Sequence, residues 1–337
     1  MSVTLKQIAE MAGVHKSTVD KVIHNRPGVS TQTRQRIKQL LEEQGYESNP
    51  LAKALNYQKK KLTVAVVLPQ VDALGEIKKG IELLRPDCTS FNIDIVYHQI
   101  PYSNAKAQAD CLYELQKNGV SGVIVSPLED EAVQDAINNL AEHHIPVVML
   151  NSDIEDGQRI CFVGRNELQA GRVAGRLMGL LLGQSGSIGV LTSTLHAVKQ
   201  REKGFTEYLS QHFPEISISY VGDTLEDPYR AYHLTCEVME QACAPDGLFI
   251  ACGCVADICK AVRDCGKVGQ VMIVCFERYP IIVKLVQSGE VACTISGDLT
   301  GQGQSAMRIL FEYLIYDKMP QADEVYLQNE ILLPENI

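Results

Sequence analysis

The 337-residue sequence has no apolar run long enough to cross a membrane, and its polar N-terminus does not resemble a signal peptide. Its eleven cysteines are odd in number and irregularly spaced, so they suggest no disulfide framework. These absences argue against membrane insertion and export. We therefore expect a cytoplasmic protein without a membrane partner.

Catalytic and cofactor motifs are also missing. There is no GxSxG, HExxH or P-loop, and the glycines form no dinucleotide fingerprint. Four cysteines follow the spacing C-x-C-x4-C-x5-C from Cys252 to Cys265, which is not a standard zinc arrangement. Small buried residues explain that cluster more simply. The sequence thus indicates no enzyme, no metal site and no cofactor.

The net charge of −10 is unevenly distributed. Residues 1–61 hold eleven Lys or Arg and five Asp or Glu, which makes this segment +6 and the remainder −16. A basic segment on an acidic body is typical of phosphate binding by one end of a molecule. A solvated helical face would have the same composition, so charge alone does not decide between the two interpretations.

The N-terminal stretch predicts two short helices around a glycine. Residues 5–12 place apolar side chains on one helical face, Gly13 is expected to end that helix, and residues 16–23 repeat the pattern. Two such helices form a helix-turn-helix, whose second helix enters the DNA major groove by its N-terminal end. His15, Lys16 and Ser17 lie at that end.

This stretch resembles the DNA-binding headpiece of the lactose-repressor (LacI) family of bacterial transcription regulators. The matching residues are Val3-Thr4-Leu5, Ile8-Ala9, Ala12-Gly13-Val14, Thr18-Val19 and Asn25 to Ser30. A third helix over 33–43 and a hinge-helix-like run from Asn49 to Leu55 follow. The resemblance implies an all-α helix-turn-helix headpiece at 1–46, a hinge helix and linker at 47–61, and an effector-binding core at 62–337.

The resemblance also assigns DNA contacts. His15, Lys16 and Ser17 would read base edges, while Leu55 would enter the minor groove and bend the duplex. Asp20 and Lys21 stand where other residues are common in the family, which we interpret as altered specificity; alternatively, Asp20 only pairs with Lys16. The expected DNA-binding residues are Thr4, Leu5, His15, Lys16, Ser17, Asp20, Lys21, His24, Ser30, Thr33, Tyr46, Asn49, Ala52 and Leu55.

From residue 62 onward, β-branched runs alternate with helical stretches, which predicts a doubly wound α/β fold. Strands are expected at 62–68, 93–97, 122–126, 146–150, 187–192, 216–221, 247–251, 271–276 and 291–295, and helices at 105–118, 132–143, 167–182 and 304–316. So many strands favour two sheets and hence two lobes. The family's core resembles periplasmic sugar-binding proteins, which implies three chain crossings, near 164–166, 296–298 and 322–325. Lobe one would then be about 62–164 and 298–322, and lobe two about 165–296 and 323–337.

The same resemblance implies an effector bound between the lobes. Arg201 matches an R-x-x-G-F segment, and its guanidinium can fork two hydroxyls or a carboxylate. The expected effector-binding residues are Asn151, Asn166, Arg201, Cys252, Glu277 and Asp298. Cys252-Gly253 and Gly297 replace polar residues that grip sugar hydroxyls in relatives, so we expect ordinary sugars to bind poorly.

These observations predict a DNA-binding transcriptional regulator, specifically a repressor, whose operator affinity responds to a small-molecule effector such as a sugar, a sugar derivative or a related metabolite. Two half-sites on double-stranded operator DNA imply a homodimer, and the absence of a heptad tail favours a dimer over a tetramer. Two alternatives remain. A solute receptor without gene control fits the core but not the headpiece, and an enzyme on the same core would be recognised by ligand turnover.

Overall fold

The computed structural model describes residues 5–23, 28–44, 61–70, 74–101 and 104–337. The chain divides into two compact units, Met1–Tyr57 and Gln58–Ile337. Of the expected DNA-binding residues, six lie outside the described residues: Thr4, His24, Tyr46, Asn49, Ala52 and Leu55.

The described part of the first unit contains helices α1 (Leu5–Ala12), α2 (Lys16–Ile23) and α3 (Thr31–Glu43). They enclose one buried apolar cluster, made of Ile8, Ala9, Ala12, Val19, Val22 and Ile37. Gly13 has a φ of +68° and donates its N–H to Glu10, while Val14 donates to Ala9. These two bonds form a Schellman-type helix end, which confirms that Gly13 terminates the first helix.

The described residues of the second unit form twelve strands and ten helices. The strands are β1 (Leu62–Pro69), β2 (Ile93–Ile100), β3 (Gly122–Val125), β4 (Val147–Leu150), β5 (Cys161–Arg165), β6 (Gly186–Thr192), β7 (Ile216–Asp223), β8 (Gly247–Ile250), β9 (Met272–Phe276), β10 (Cys293–Gly297), β11 (Glu324–Leu327) and β12 (Asn329–Leu332). The helices are α4 (Leu74–Glu82), α5 (Arg85–Ser90), α6 (Ala105–Lys117), α7 (Glu131–Glu142), α8 (Glu167–Leu181), α9 (His196–His212), α10 (Pro228–Met239), α11 (Val255–Asp264), α12 (Pro280–Gln287) and α13 (Leu299–Tyr316).

The strands build two sheets, which confirms the predicted doubly wound, two-lobed fold. Lobe one carries the order β11-β5-β4-β3-β1-β2, and lobe two carries β12-β10-β9-β8-β6-β7. All described pairs are parallel except β10 with β12. In each sheet the chain reverses its direction of growth once, between β1 and β3 in lobe one and between β6 and β8 in lobe two. Ligands of such sheets bind at these switch points, at the carboxyl ends of the strands.

The third crossing differs from the prediction. The segment 324–327 was expected in lobe two, but β11 pairs in parallel with β5, from Glu324 opposite Phe162 to Leu327 opposite Arg165. Only β12 joins lobe two, through β10. The chain therefore crosses at Gln328, because the backbone of β11 completes the edge of the first sheet.

In each lobe, two helices pack very closely, because glycines at their contact have no side chain to hold the backbones apart. In lobe one, a Cβ added at Gly80 on α4 would overlap the carbonyl oxygen of Thr300 on α13. In lobe two, a Cβ at Gly204 on α9 would overlap the carbonyl oxygen of Leu168 on α8. The two pairs occupy corresponding positions in the two lobes.

Candidate functional site

The N-terminal end of α2 is exposed, and the side chain of His15, the residue just before the helix, caps it. His15 Nδ1 accepts hydrogen bonds from the Ser17 N–H at 3.3 Å and from the Ser17 hydroxyl at 2.8 Å. Because a backbone N–H can only donate, Nδ1 is the acceptor, and the neutral ring carries its proton on Nε2. His15, Lys16 and Ser17 are all exposed. Among the described residues, the imidazole Nε2 and the Lys16 ammonium have no hydrogen-bond acceptor, so both can donate to a ligand.

The other headpiece candidates lie on all three helices. Leu5 lies in α1, and Asp20 and the exposed Lys21 lie in α2. Ser30 caps α3, since its Oγ accepts the Thr33 N–H at 3.2 Å and lies 2.7 Å from the Thr33 hydroxyl. Ser30 and Thr33, expected as phosphate contacts, thus also stabilise the start of α3.

A cavity of about 790 Å³ lies between the two lobes of the second unit. Its lobe-one wall includes Gln70 and Ser126, which follow β1 and β3 at the switch point of that sheet. Its lobe-two wall includes Cys252, which follows β8 beside the second switch point. A cavity of this volume is large enough for a small metabolite.

Two arginines and two glutamates form a closed ion cluster beside the cavity, in which Arg165 ends β5 of lobe one and Glu167, Arg201 and Glu277 belong to lobe two. Arg201 donates to Glu167 through Nε at 2.7 Å and Nη2 at 3.2 Å, and to Glu277 through Nη2 at 2.9 Å. Arg165 donates to Glu167 at 3.1 Å through both Nε and Nη2, and to Glu277 at 2.8 Å. Both guanidinium groups also lie over the ring of Phe276, at 4.5 Å and 5.3 Å from its centroid.

The cluster keeps both carboxylates ionised. Burial would raise the pKa of Glu167, but the charges of Arg165 and Arg201 outweigh it and lower that pKa to about 2. The pKa of Glu277 is lowered by the same balance, with burial opposed by the two arginines. For Arg201, burial opposes protonation, but Glu167 and Glu277 raise its pKa.

Glu277 turns toward the cavity on a strained backbone. Its φ is +78°, a conformation that favours glycine, and two bonds hold it: its N–H donates to Ile295, and the Thr294 hydroxyl donates to its carbonyl at 2.7 Å. Glu277 Oε1 accepts from both arginines, while Oε2 has no hydrogen-bond partner among the described residues. Glu277 therefore offers the cavity one free acceptor.

The six expected effector residues divide into two groups. Asn151, Arg201, Cys252 and Glu277 line the cavity. Asn166 and Asp298 are not among its lining residues, and their part in effector binding stays a prediction. The Asn166 side chain caps α8 by accepting the Gln169 N–H at 2.9 Å, and Asp298 caps α13 by accepting the Gly301 N–H at 2.7 Å. The two residues follow β5 and β10 and start corresponding helices, so each is used to begin a helix after a crossing.

At two pairs of corresponding positions, the cavity lining is charged in lobe two and apolar in lobe one. A Cβ at Gly171 would overlap the carbonyl oxygen of Arg201, and a Cβ at Gly303 would overlap that of Ile77. Arg201 in lobe two therefore corresponds to Ile77 in lobe one, and Glu167 corresponds to Leu299, because each begins its helix. All four residues line the cavity.

Glu226 brings a carboxylate to Cys252-Gly253, where the sequence itself has no polar side chain of the kind found in relatives. The Gly253 N–H donates to Glu226 Oε2 at 3.0 Å, and a Cβ at Gly253 would lie 2.8 Å from that oxygen. The glycine therefore permits the close approach of Glu226. The cavity is not stripped of polar groups at Cys252-Gly253, as the sequence suggested, because Glu226 reaches it from the loop after β7.

The two lobes are joined across the cavity by Glu129. Both of its carboxylate oxygens accept the N–H of His196, at 3.0 Å and 3.1 Å. Glu129 follows β3 in lobe one, and His196 starts α9 in lobe two, whose N-terminus has no side-chain cap of its own. A carboxylate at a helix N-terminus also interacts favourably with the helix dipole.

Cys252 and Cys254 are both buried in the cavity wall, and all eleven cysteines are free thiols. A hydrogen bond between these two thiols lowers the pKa of Cys252 and raises that of Cys254. Within the part of the chain that the structure describes, no three His, Cys, Asp or Glu residues are arranged to hold a metal ion. No helix there is long and apolar enough to cross a membrane.

Sequence reasoning missed Arg165, Glu167, Glu226 and Glu129. A charged residue at a strand end or a helix start was the only available signal, and such residues are common in loops. Apart from the Arg165–Glu167 contact, their roles depend on partners that lie far away in the sequence.

Two family matches cover most of the chain. Residues 4–49 match the bacterial regulatory proteins of the lacI family, and residues 82–318 match the periplasmic binding protein domain. The chain thus belongs to the periplasmic binding protein domain family and carries a lacI-family DNA-binding domain at its N-terminus. These matches confirm the expected family and the expected fold. The lacI match falls within the first compact unit, and the periplasmic binding protein match falls within the second.

Similar proteins are named as regulators. The sucrose operon repressor of Staphylococcus xylosus is 26% identical over 226 residues, covering 64% of this chain and 65% of that protein. The regulator TreR of Escherichia coli is 24% identical over 254 residues, covering 73% and 76%. Catabolite control protein A of Priestia megaterium is 26% identical over 228 residues, covering 66% and 65%. The aligned part of this chain thus spans about 65% of the sucrose operon repressor.

Solved structures of solute-binding proteins share the fold of the core. A sugar-binding protein of an ABC transporter from Bacillus halodurans superposes with a TM-score of 0.74 at 23% identity, covering 81% of this chain and 98% of that one. The arabinose-binding protein AraP of Geobacillus stearothermophilus gives a TM-score of 0.73 at 22% identity, covering 82% and 98%. At these identities the likeness concerns architecture alone.

Proposed function

We propose that this protein is a transcriptional repressor that binds double-stranded operator DNA through α2 and responds to a small molecule held between its lobes. The observation that carries the proposal is the exposed start of α2, at His15, Lys16 and Ser17, inside the region that matches the lacI family. The named relatives are regulators and repressors of operons, not enzymes.

The first turn of α2 would contact the base edges. The Lys16 ammonium can donate to guanine O6 and N7, and the His15 Nε2–H can donate to a base or phosphate acceptor. Arg36 and Lys38 are exposed on α3 and would contact phosphates, which position the protein without reading sequence. Asn49 and Leu55 would serve as the hinge contacts on the operator.

The effector would bind in the cavity between lobes. Asn151, Arg201, Cys252 and Glu277 line it, and Glu129 bridges it. A ligand that contacts both walls stabilises one degree of lobe closure over another, and it can only shift DNA affinity through that difference. The protein would act in the cytoplasm as a homodimer, since two headpieces are needed for the two half-sites of a palindromic operator.

A solute receptor is the second candidate, because the structural neighbours of the core are solute-binding proteins. A receptor has no use for a basic segment of +6 that matches a family of DNA-binding regulators. The two candidates differ in whether the purified chain retains specific DNA.

Capture of genomic fragments by the full-length protein tests this proposal. Fragments retained at about 150 mM salt are sequenced, and the salt is fixed because phosphate contacts weaken steeply as it rises. The expected result is a shared pseudo-palindromic site near a small set of genes. Retention of fragments with no common site, at the same level as an unrelated basic protein, would contradict the function.

A further inference from the structure

The cavity between the lobes is strongly acidic. Five carboxylates line it in the described residues: Glu129, Glu167, Glu226, Asp257 and Glu277. Arg201 is the one basic residue among the same lining residues, and Arg165 lies just behind it against Glu167 and Glu277. After these two cations are counted, three negative charges remain. An enclosed site of one charge sign concentrates ligands of the opposite sign.

The uncompensated charge is located on Glu129, Glu226 and Asp257. None of the three forms an ion pair among the described residues, whereas Glu167 and Glu277 share two arginines. Glu129 is already hydrogen-bonded by the His196 N–H, so Glu226 and Asp257 are the two that remain for a ligand. Asp257 lies in the first turn of α11, and Glu226 lies in the loop before α10. Both face the cavity from lobe two.

Glu226 also presents a buried oxygen without a partner. Its Oε2 accepts the Gly253 N–H at 3.0 Å, but its Oε1 is buried and has no hydrogen-bond partner among the described residues. The residue is held there by a left-handed backbone at Leu225 and Glu226, with φ values of +53° and +55°, and its N–H donates to the Thr224 hydroxyl at 3.3 Å. A buried carboxylate oxygen without a hydrogen-bond donor destabilises the folded protein. A cationic N–H group is the strongest donor that could bind it.

We propose that the effector carries a protonated primary amine, bound by Glu226 and Asp257 on the lobe-two wall. An ammonium group has three N–H donors and no acceptor, which suits a wall that presents the carboxylates of Glu226, Asp257 and Glu277. The lobe-one wall holds the apolar side chains of Ile77, Leu128 and Leu299 beside polar ones such as Gln70 and Asn151, so the remainder of the ligand meets both apolar and hydrogen-bonding groups. This inference rests on the proposed function, whose cavity it uses, and it names the chemical class of the ligand.

Anionic ligands are excluded by the same geometry. Arg201 already donates to two carboxylates and to the Ala251 carbonyl at 3.1 Å, so only one of its five N–H donors remains for a ligand. A sugar acid or sugar phosphate would meet three net negative charges with that single donor. The Arg201 fork predicted to grip a ligand carboxylate is occupied by Glu167 instead.

Matched triplets of probes test the charge requirement directly. One triplet is 1-amino-1-deoxysorbitol, sorbitol and gluconate, and the other is cyclohexylmethylamine, cyclohexylmethanol and cyclohexanecarboxylate. Within each triplet the skeleton is nearly constant and the charge is positive, zero or negative. Affinity is measured by isothermal titration calorimetry at pH 7 with the full-length protein, supported by thermal shift.

Two variants and one control test whether the amine binds at Glu226. Glu226→Gln removes the charge at nearly constant shape. Gly253→Ala keeps the charge but displaces the carboxylate, because its new Cβ would lie 2.8 Å from Glu226 Oε2. Glu215→Gln is the control, since Glu215 is an exposed acid directly before β7, at the end of that sheet remote from the cavity.

The amine of at least one triplet is expected to bind about tenfold or more tightly than its neutral partner, and the anion not to bind. Glu226→Gln and Gly253→Ala should each lower the amine affinity by about tenfold, and Glu215→Gln should leave it unchanged. The proposal is overturned if neither amine binds, if a neutral or anionic member binds as tightly, or if Glu226→Gln has no effect. Failure of the proposed function is seen separately in the DNA capture, which uses no ligand.

Discussion

Arg201 Nε lies 2.7 Å from Glu167 Oε2, and its Nη2 lies 3.2 Å from Glu167 Oε1, so the guanidinium fork is closed on a carboxylate of the chain itself. The same Nη2 also reaches Glu277. Arg201 therefore acts first on protein groups: it neutralises two buried carboxylates and fixes the direction of Glu277. Any influence on a ligand passes mainly through Glu277.

Arg201→Ala is expected to destabilise the core by about 3–5 kcal/mol, since removal of one partner of a buried ion cluster leaves the other charges uncompensated. Arg165 remains and moderates the loss. The free energy of unfolding in urea is the measurement. Arg172→Ala serves as the control, because Arg172 is half exposed and pairs with Glu207 at 3.4 Å, a contact worth at most about 1 kcal/mol. Equal effects of the two substitutions would contradict the role of the cluster.

Glu167 gives the cluster a defined pH dependence. Its pKa falls from 4.5 to about 2 on folding, so its ionised form stabilises the folded state. That contribution is complete above the unfolded-state pKa of about 4.5 and is lost as the pH falls toward about 2. The difference in unfolding free energy between the wild type and Glu167→Gln should therefore be constant from pH 7 to 5 and shrink from pH 4.5 to 3. A difference that stays constant down to pH 3 would show that the arginines do not lower this pKa.

Gly80→Ala and Gly75→Ala test the close helix pair of lobe one. Both glycines lie in α4, but a Cβ at Gly80 would overlap backbone of Thr300, whereas a Cβ at Gly75 meets nothing within 4 Å. Gly80→Ala should cost about 1–3 kcal/mol or more, because backbone on both helices must shift. Gly75→Ala should be neutral or stabilise by up to about 1 kcal/mol, since alanine favours a helix. Thermal unfolding of both variants gives the comparison, and a stable Gly80→Ala protein would contradict the helix contact.

Glu129→Gln is expected to loosen lobe closure. The substitution removes the negative charge at the start of α9 and one of two acceptors for the His196 N–H, an interaction worth about 0.3–1 kcal/mol. Small-angle scattering of the full-length protein should show a larger radius of gyration. The neighbouring exposed acid Glu131 lies on α7 in lobe one, so Glu131→Gln should leave the radius unchanged. If both variants scatter like the wild type, Glu129 does not hold the lobes together.

Much of the fold could be predicted because buried parallel strands have a strong signal. The β1 run from Leu62 and the β3 run from Gly122 are apolar on both faces, as strands between helix layers must be. The strand β5 was not predicted, because five residues ending in Gly164-Arg165 do not differ from a loop by pattern. The segment Glu324–Leu327 alternates exposed and half-buried residues, and that alternation does not specify which of two sheets it joins.

The candidate site was less predictable, for a different reason. The lactose-repressor resemblance named Arg201 and Glu277, which line the cavity, and Asn166 and Asp298, which cap helices, and the part of all four in effector binding stays a prediction. Neither the Glu226–Gly253 contact nor the Arg165 contacts have a local sequence signal. Glu226 and Gly253 are 27 residues apart and Arg165 and Glu277 are 112 residues apart, so only the folded chain brings these partners together.

The most direct test of the account is the effect of Lys16→Ala on the DNA site that the protein selects. Full-length wild type and variant each select duplexes from a random pool, and affinities for the enriched sites are measured at one salt concentration. We expect Lys16→Ala to lower affinity by about 1–3 kcal/mol and to change the preferred base at one position in each half-site. Lys38→Ala, on the exposed surface of α3, should weaken all sites evenly and leave the motif intact. An enriched motif and an affinity that are both unchanged by Lys16→Ala would contradict the assignment of α2 as the DNA-reading helix.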